Sequence, residues 1–342
     1  MTFFKTIKYC LTVVLMVMLV NICDSAYADG MGYSVQAVIP ENQIDQSKTY
    51  FDLKMTPEQT QNIELEIKSS SEEVLNLAVV PYIGTTNQNG ELEYSVEPEK
   101  NDSTLIYPIT RLISGKQKVT LKPKETKRVT FRLKMPKKAF EGKIVGGFNV
   151  YDEANDTIKD SESKKNEVQI KNVFSVVIGI QLRENLDKIK PELKLNTVKA
   201  GLFNYRTAIT ANIQNIKSEF VSDLSLTAKI RKNGSSKVLY EAEKSEMAMA
   251  PNSNFNFPIS LENQELEEGS YDLEIVAHSK DDEWTFTKKF RITDEEAARL
   301  NEEAVEVETK TNNKFLVITI AVVSLVFICM IVLIIVLWRR KK

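Results

Sequence analysis

The sequence has little of the chemistry that most enzymes and disulfide-built domains rely on. Of 342 residues, only three are cysteine and one is histidine. Cys10 and Cys23 lie in an apolar N-terminal block and Cys329 in an apolar C-terminal one, so residues 29–313 contain no cysteine and no disulfide framework. The lone His278 has no Gly-x-Ser-x-Gly elbow to accompany it, which removes the usual signature of a Ser-His-Asp hydrolase and leaves a surface histidine. Zinc needs clusters of His or Cys that do not exist here. No Asp-x-Asp-x-Asp-Gly loop is present for calcium. Gly142-Lys143-Ile144-Val145-Gly146-Gly147 lacks the order of a phosphate cradle and suggests close strand packing instead. No cofactor or metal site is expected. A pair of carboxylates for glycoside hydrolysis stays open, because acidic residues are abundant and only their separation identifies such a pair.

Long apolar runs occur only at the two ends. Lys5 and Lys8 precede Leu11 to Ile22 and then Ala26-Tyr27-Ala28, the pattern of a secretory signal peptide over 1–28. Phe315 to Trp338 is uncharged and, at about 1.5 Å per helical residue, about 36 Å long, enough to cross a bilayer. Arg339, Arg340, Lys341 and Lys342 follow at once, so the positive-inside rule puts 339–342 in the cytoplasm and 29–313 outside. The chain therefore reads as a single-pass protein of the cell membrane with an extracellular N-terminal ectodomain. Residues 29–313 carry 38 basic and 46 acidic side chains, a charge of −8. That acidity argues against nucleic acid as a partner. Leu-Pro-x-Thr-Gly is absent before the apolar run, where Lys310-Thr311-Asn312-Asn313-Lys314 stands, so non-covalent attachment to a cell wall is expected.

Between the ends the dominant pattern is period two, the mark of half-buried strands. Ile63, Leu65 and Ile67 alternate with glutamates, and Val129, Phe131, Leu133 and Met135 with polar residues. Leu224 to Ile230 and Tyr271 to Ala277 repeat it. Asn89-Gly90 and Asn233-Gly234 supply tight hairpin turns. An all-β ectodomain of two tandem immunoglobulin-like sandwiches is expected, at 29–158 and 159–293. The strand-like run 170–182 could instead pair back across the polar stretch Asp152 to Gln169, which would extend the first sandwich to 183 and place the hinge at Glu184 to Pro191. Residues 294–313 read as a helical or disordered acidic stalk, too thin in apolar residues for a core helix, ahead of the membrane helix at 314–338.

What remains after the exclusions is binding. Aromatic rings and carboxamides suit sugar polymers, and the first half carries Tyr82, Asn87, Gln88, Asn89 and Tyr94 near expected loops. Asn42 and Gln43 begin a loop after Pro40, where capping of their own turn competes with ligand contact.

Tyr33-Ser34-Val35, Ile39-Pro40-Glu41-Asn42-Gln43 and Tyr50-Phe51-Asp52-Leu53 are in order. So are Thr86-Asn87-Gln88-Asn89-Gly90, Met135-Pro136, Phe140, Gly142 and Ile144-Val145-Gly146-Gly147. Asn172-Val173-Phe174, Ile178-Gly179-Ile180-Gln181-Leu182-Arg183 and Met249-Ala250-Pro251-Asn252-Ser253-Asn254-Phe255 follow. Together they resemble the WxL-interacting proteins of Gram-positive bacteria over nearly all of 30–293 and the anchor. Pro57-Glu58 departs from the Pro-Gly expected of the family. The resemblance implies an N-terminal peptidoglycan-binding domain, a second, host-binding domain, and partnership with WxL-domain surface proteins. Host extracellular-matrix proteins are a further partner class. A wall-active glycosidase and a surface-assembly chaperone that lends a strand stand as alternatives.

Overall fold

A computed structural model of the chain describes residues 31–153, 174–280 and 282–305. The expected signal peptide, membrane helix and basic tail lie outside the described residues. Among the described residues, no helix is long and apolar enough to cross a membrane.

Two β-sandwiches follow one another. The first packs a three-stranded sheet of β1 (Tyr33–Val38), β3 (Thr60–Ser69) and β8 (Thr126–Lys134). Its other layer has five strands in the order β2 (Phe51–Lys54), β10 (Ser175–Arg183), β9 (Ile144–Asp152), β4 (Leu75–Ile83) and β7 (Gln117–Leu121). A short hairpin, β5 (Thr85–Thr86) and β6 (Leu92–Glu93), leaves this sandwich at one end. Alternation decides which side chains face inward: Ile63, Leu65 and Ile67 are buried between the sheets while Glu64 and Glu66 are only partly covered. Phe148 of β9 centres the core, with the Phe131 ring 4.7 Å away and the Phe51 ring 6.2 Å away edge-on.

Strand β10 pairs antiparallel with β9 and parallel with β2, so 175–183 is hydrogen-bonded into the first sandwich. Arg183 at its end donates to both carboxylate oxygens of Asp52 on β2, at 2.8 and 2.9 Å, locking the parallel pair. Most of the polar stretch between β9 and β10 lies outside the described residues.

The second sandwich sets β11 (Leu193–Phe203), β12 (Arg206–Asn215) and β15 (Ser253–Ser260) against β14 (Val238–Met249), β13 (Val221–Lys232), β16 (Gly269–Ser279) and β17 (Asp282–Ile292). Asn233-Gly234 turns the β13–β14 hairpin, with Gly234 at φ +79°.

The stalk expectation needs correction at its start. Helix α1 (Asp294–Glu303) is docked on the second sandwich: Ala297 and Leu300 are buried in its core, and Asn301 bonds both the N–H and the carbonyl of Leu266. Two apolar residues three apart form one helical stripe, and for ten residues that stripe suffices to seat the helix. Thr293 caps it by accepting from the Glu296 N–H.

Candidate functional site: an amide-lined cleft between the sandwiches

The β5–β6 hairpin and the loop after it lie against the second sandwich. The turn is built by Asn87, whose Oδ1 accepts from the N–H groups of Asn89 (2.8 Å) and Glu91 (3.1 Å). Gly90 closes it at φ +70° and receives the Ala248 N–H on its carbonyl at 2.7 Å. A Cβ at Gly90 would lie 2.5 Å from the Met247 Sδ, so glycine is what lets the hairpin tip press on β14.

Asp102 anchors the second contact. Its carboxylate accepts from the Thr104 N–H and hydroxyl, from Gln214 Nε2 at 2.8 Å and from Asn254 Nδ2. Burial pushes this carboxyl up, but the four donors outweigh burial and hold its pKa below the ordinary value. From Asp102 the carboxamides spread across the outer face of the β11-β12-β15 sheet. Asn196 donates to Asn212 and Gln214 at 3.0 Å, and Asn212 donates to Asn254 and Asn256 at 3.0 and 2.9 Å. Alternation places them there, because Asn254 and Asn256 point outward while Phe255 and Phe257 fill the core.

Between hairpin and sheet lies a cleft of about 580 Å³, lined among others by Asn87, Gln88, Lys100, Asn252, Asn254 and Asn256. Asn87 and Asn254 are already engaged, whereas Gln88, Lys100 and the Asn256 Nδ2 have no hydrogen-bond partner among the described residues. Such a surface offers uncommitted hydrogen-bond donors and acceptors to a polar ligand.

The seven expected site residues do not converge. Gln88 and Asn89 sit exposed at the hairpin tip, and Asn87 spends its side-chain oxygen on the turn. Tyr94 lies over the backbone of β9: a Cβ on Gly147 would stand 2.9 Å from its own Cβ. Burial, with Tyr50 nearby, pushes the Tyr94 phenol up to about 12. Tyr82 is half-buried on β4 opposite Gly147. Asn42 and Gln43 are far along the chain in a loop that consumes them. Gln43 donates to the Tyr50 carbonyl at 2.9 Å and accepts the Asp52 N–H at 2.8 Å, and Asn42 bonds the Lys54 carbonyl and Gln61. Asn254 and Asn256 of β15 are not among the residues expected from the sequence, although their alternate spacing in a strand is a visible signal, and Asn252 lies in the turn before them. His278 is exposed, with its Nδ1 3.2 Å from Glu283. Among the described residues no group of three His, Cys, Asp or Glu side chains gathers as metal ligands would.

Comparison with known families settles the affiliation. Residues 33–152 match the model for the WxL Interacting Protein peptidoglycan binding domain, and residues 165–302 match that for the WxL Interacting Protein host binding domain. The chain belongs to the WxL Interacting Protein family. Both matched modules of this family member are binding domains, in the order expected from the sequence. The host binding model begins at 165, ahead of β10, which is hydrogen-bonded to the first sandwich.

No curated protein matches the chain. Among solved structures, a chain of a chaperone–tip adhesin complex of CFA/I fimbriae is similar at 11% identity, covering 75% of this chain and 98% of that one, with a TM-score of 0.30. The class 5 fimbriae chaperone CfaA gives 12%, 75%, 99% and 0.28, and the YadV chaperone 10%, 77%, 100% and 0.27. At these scores the likeness carries no functional weight.

Proposed function

We propose that this family member is a non-enzymatic surface protein of a Gram-positive cell that holds peptidoglycan and presents its second sandwich to WxL-domain proteins or host ligands. In this proposal 314–338 anchors it in the cell membrane with 339–342 in the cytoplasm. The observation that carries the reading is the pair of binding-domain matches across one chain. The amide-lined cleft supports it by supplying unengaged polar groups, Gln88 and Asn256 among them, at a junction that both sandwiches build.

Co-sedimentation of the whole chain with purified peptidoglycan tests the wall-binding half. Retention that falls several-fold in the double variant Gln88→Ala, Asn256→Ala supports the cleft as the glycan site. Absence of retention of the unaltered chain overturns wall binding. Release from cells by detergent rather than by wall digestion alone is the expected signature of the membrane anchor.

A further inference from the structure

Strand β2 is only four residues long and covers β10 from Ile180 to Arg183. Strand β9 covers the opposite side of β10 from Ser175 to Leu182. The stretch Ser175–Gly179 therefore has one edge with no strand partner among the described residues. Five residues span about 17 Å, close to the commonest strand length.

Proteins usually blunt such edges with charge, proline or bulges. The second sandwich does so. Strand β14 carries Glu241, Glu243, Lys244 and Glu246 and two register breaks opposite Leu224, and β11 has a register break after Leu195 flanked by Lys194 and Lys199. Nothing of the kind protects β10. Phe174-Ser175-Val176-Val177-Ile178-Gly179 has no charge and no proline, and its register with β9 runs unbroken. Phe174 is 56% exposed and Val177 38%.

The open edge also faces a cavity. A groove of about 860 Å³ is lined by the consecutive residues Val177 to Gln181. Successive strand side chains point to opposite faces, so a wall formed by five in a row exposes the backbone between them. Tyr50, Ile189 and Phe220 supply apolar walls. Lys143 in the groove is paired with Glu219, and Asp282 with Lys190 at 2.7 Å. Lys188 and Lys280 are exposed there with no ion-pair partner among the described residues, which leaves a basic groove on an acidic ectodomain.

We propose that this groove receives an extended polypeptide segment of a partner protein, which adds a strand to the β10 edge at Ser175–Gly179. Main-chain donors and acceptors at strand spacing are matched by another polypeptide backbone and not by a glycan. Alternate apolar residues of the segment fill the space beside Val177 and Phe220, and a carboxylate meets Lys188 and Lys280. This strand site is separate from the amide cleft, and its test does not depend on peptidoglycan.

Peptides of about ten residues displayed on phage, selected against the whole chain, serve as the probe. The expected winners alternate apolar and polar positions and carry an acidic residue. Hydrogen exchange then reads the site: the Ser175–Gly179 amides that point away from β9 exchange rapidly in the free protein and slow at least about tenfold with a synthetic winner bound. Val177→Lys weakens that peptide about tenfold or more while leaving the denaturation midpoint in place. If Val177→Lys fails to fold, the double variant Lys188→Glu, Lys280→Glu takes its role and must weaken acidic winners. Full protection of these amides in the free protein overturns the proposal. So do winners without alternation, or protection that maps elsewhere.

Discussion

The hydroxyl of Thr86 in the first sandwich lies 2.6 Å from the hydroxyl of Ser253 in the second, and both residues are buried. The direction of that bond is determined by its neighbours. Ser253 donates to the Ala250 carbonyl at 2.8 Å, which can only accept, so the Thr86 hydroxyl is the donor to Ser253. Thr86 in turn accepts the Ala250 N–H at 3.0 Å. Three residues thus satisfy one another in a closed ring across the domain junction. Thr86→Val keeps the shape but strands the Ala250 N–H and the Ser253 oxygen at a buried position on the wall of the cleft, at a cost of about 2 kcal/mol. Thr86→Ser costs far less. Urea denaturation of the two variants measures the difference, and equal midpoints would show that water replaces the lost partner.

Asp102 makes the same junction sensitive to acid. Its pKa in the folded protein is held below the ordinary 3.8 by Thr104, Asn254 and Gln214 against the opposing pull of burial. A depressed carboxyl stabilises fully above its unfolded pKa and loses that contribution as pH falls through its folded one. Asp102→Asn turns an N–H toward donors and costs about 1–2 kcal/mol at pH 7. Near pH 3 the gap from the unaltered protein narrows. Denaturation midpoints at the two pH values test this, and a gap that does not change with pH would assign the loss to packing.

The strands were legible because alternation of residues such as Ile63-Glu64-Leu65-Glu66-Ile67 records burial of one face directly. The hairpin at Asn89-Gly90 was equally plain, since its turn chemistry is local. The junction was not. Thr86, Asp102, Gln214 and Ser253 are ordinary polar residues far apart in sequence, and only the tertiary fold brings them within hydrogen-bond reach. The hydrogen bonds among the carboxamides of β12 and β15 are hidden for the same reason, although the alternation that turns Asn254 and Asn256 outward is local. Aromatic Tyr94 suggested a sugar platform, but its value depends on what covers it, and the close approach to Gly147 leaves it half-buried against strand backbone.

The departure at Pro57-Glu58 has a measurable consequence. Gln59 N–H bonds the Thr56 carbonyl at 3.1 Å, and Glu58 sits at φ +61° in the third position of this turn, with proline in the second. That is the geometry of a type II turn, where glycine is at ease. A left-handed non-glycine residue costs about 1–2 kcal/mol, and glycine gives back about 0.4–1 through the unfolded chain. Glu58→Gly is therefore expected to stabilise the first sandwich by about 0.5–1 kcal/mol, whereas Glu58→Ala is not. Thermal denaturation of the pair separates backbone strain from loss of the glutamate charge.

Leu300 decides whether α1 is part of the second sandwich or merely follows it. Its side chain is 5% exposed in a core shared with Ala297, and the helix end is fixed by Asn301 on Leu266 and by the Val305 N–H on the Tyr205 carbonyl at 2.8 Å. Leu300→Ala removes a buried isobutyl group and costs about 2–4 kcal/mol if the helix is integral. A free stalk would lose nothing beyond helix propensity, for which alanine is no worse than leucine. Exposed Ala298 on the other face is the control position, and Ala298→Glu leaves the midpoint within about 0.5 kcal/mol. A Leu300→Ala midpoint equal to that control would return 294–303 to the role of a spacer, whereas the larger loss makes α1 a structural element of the second sandwich.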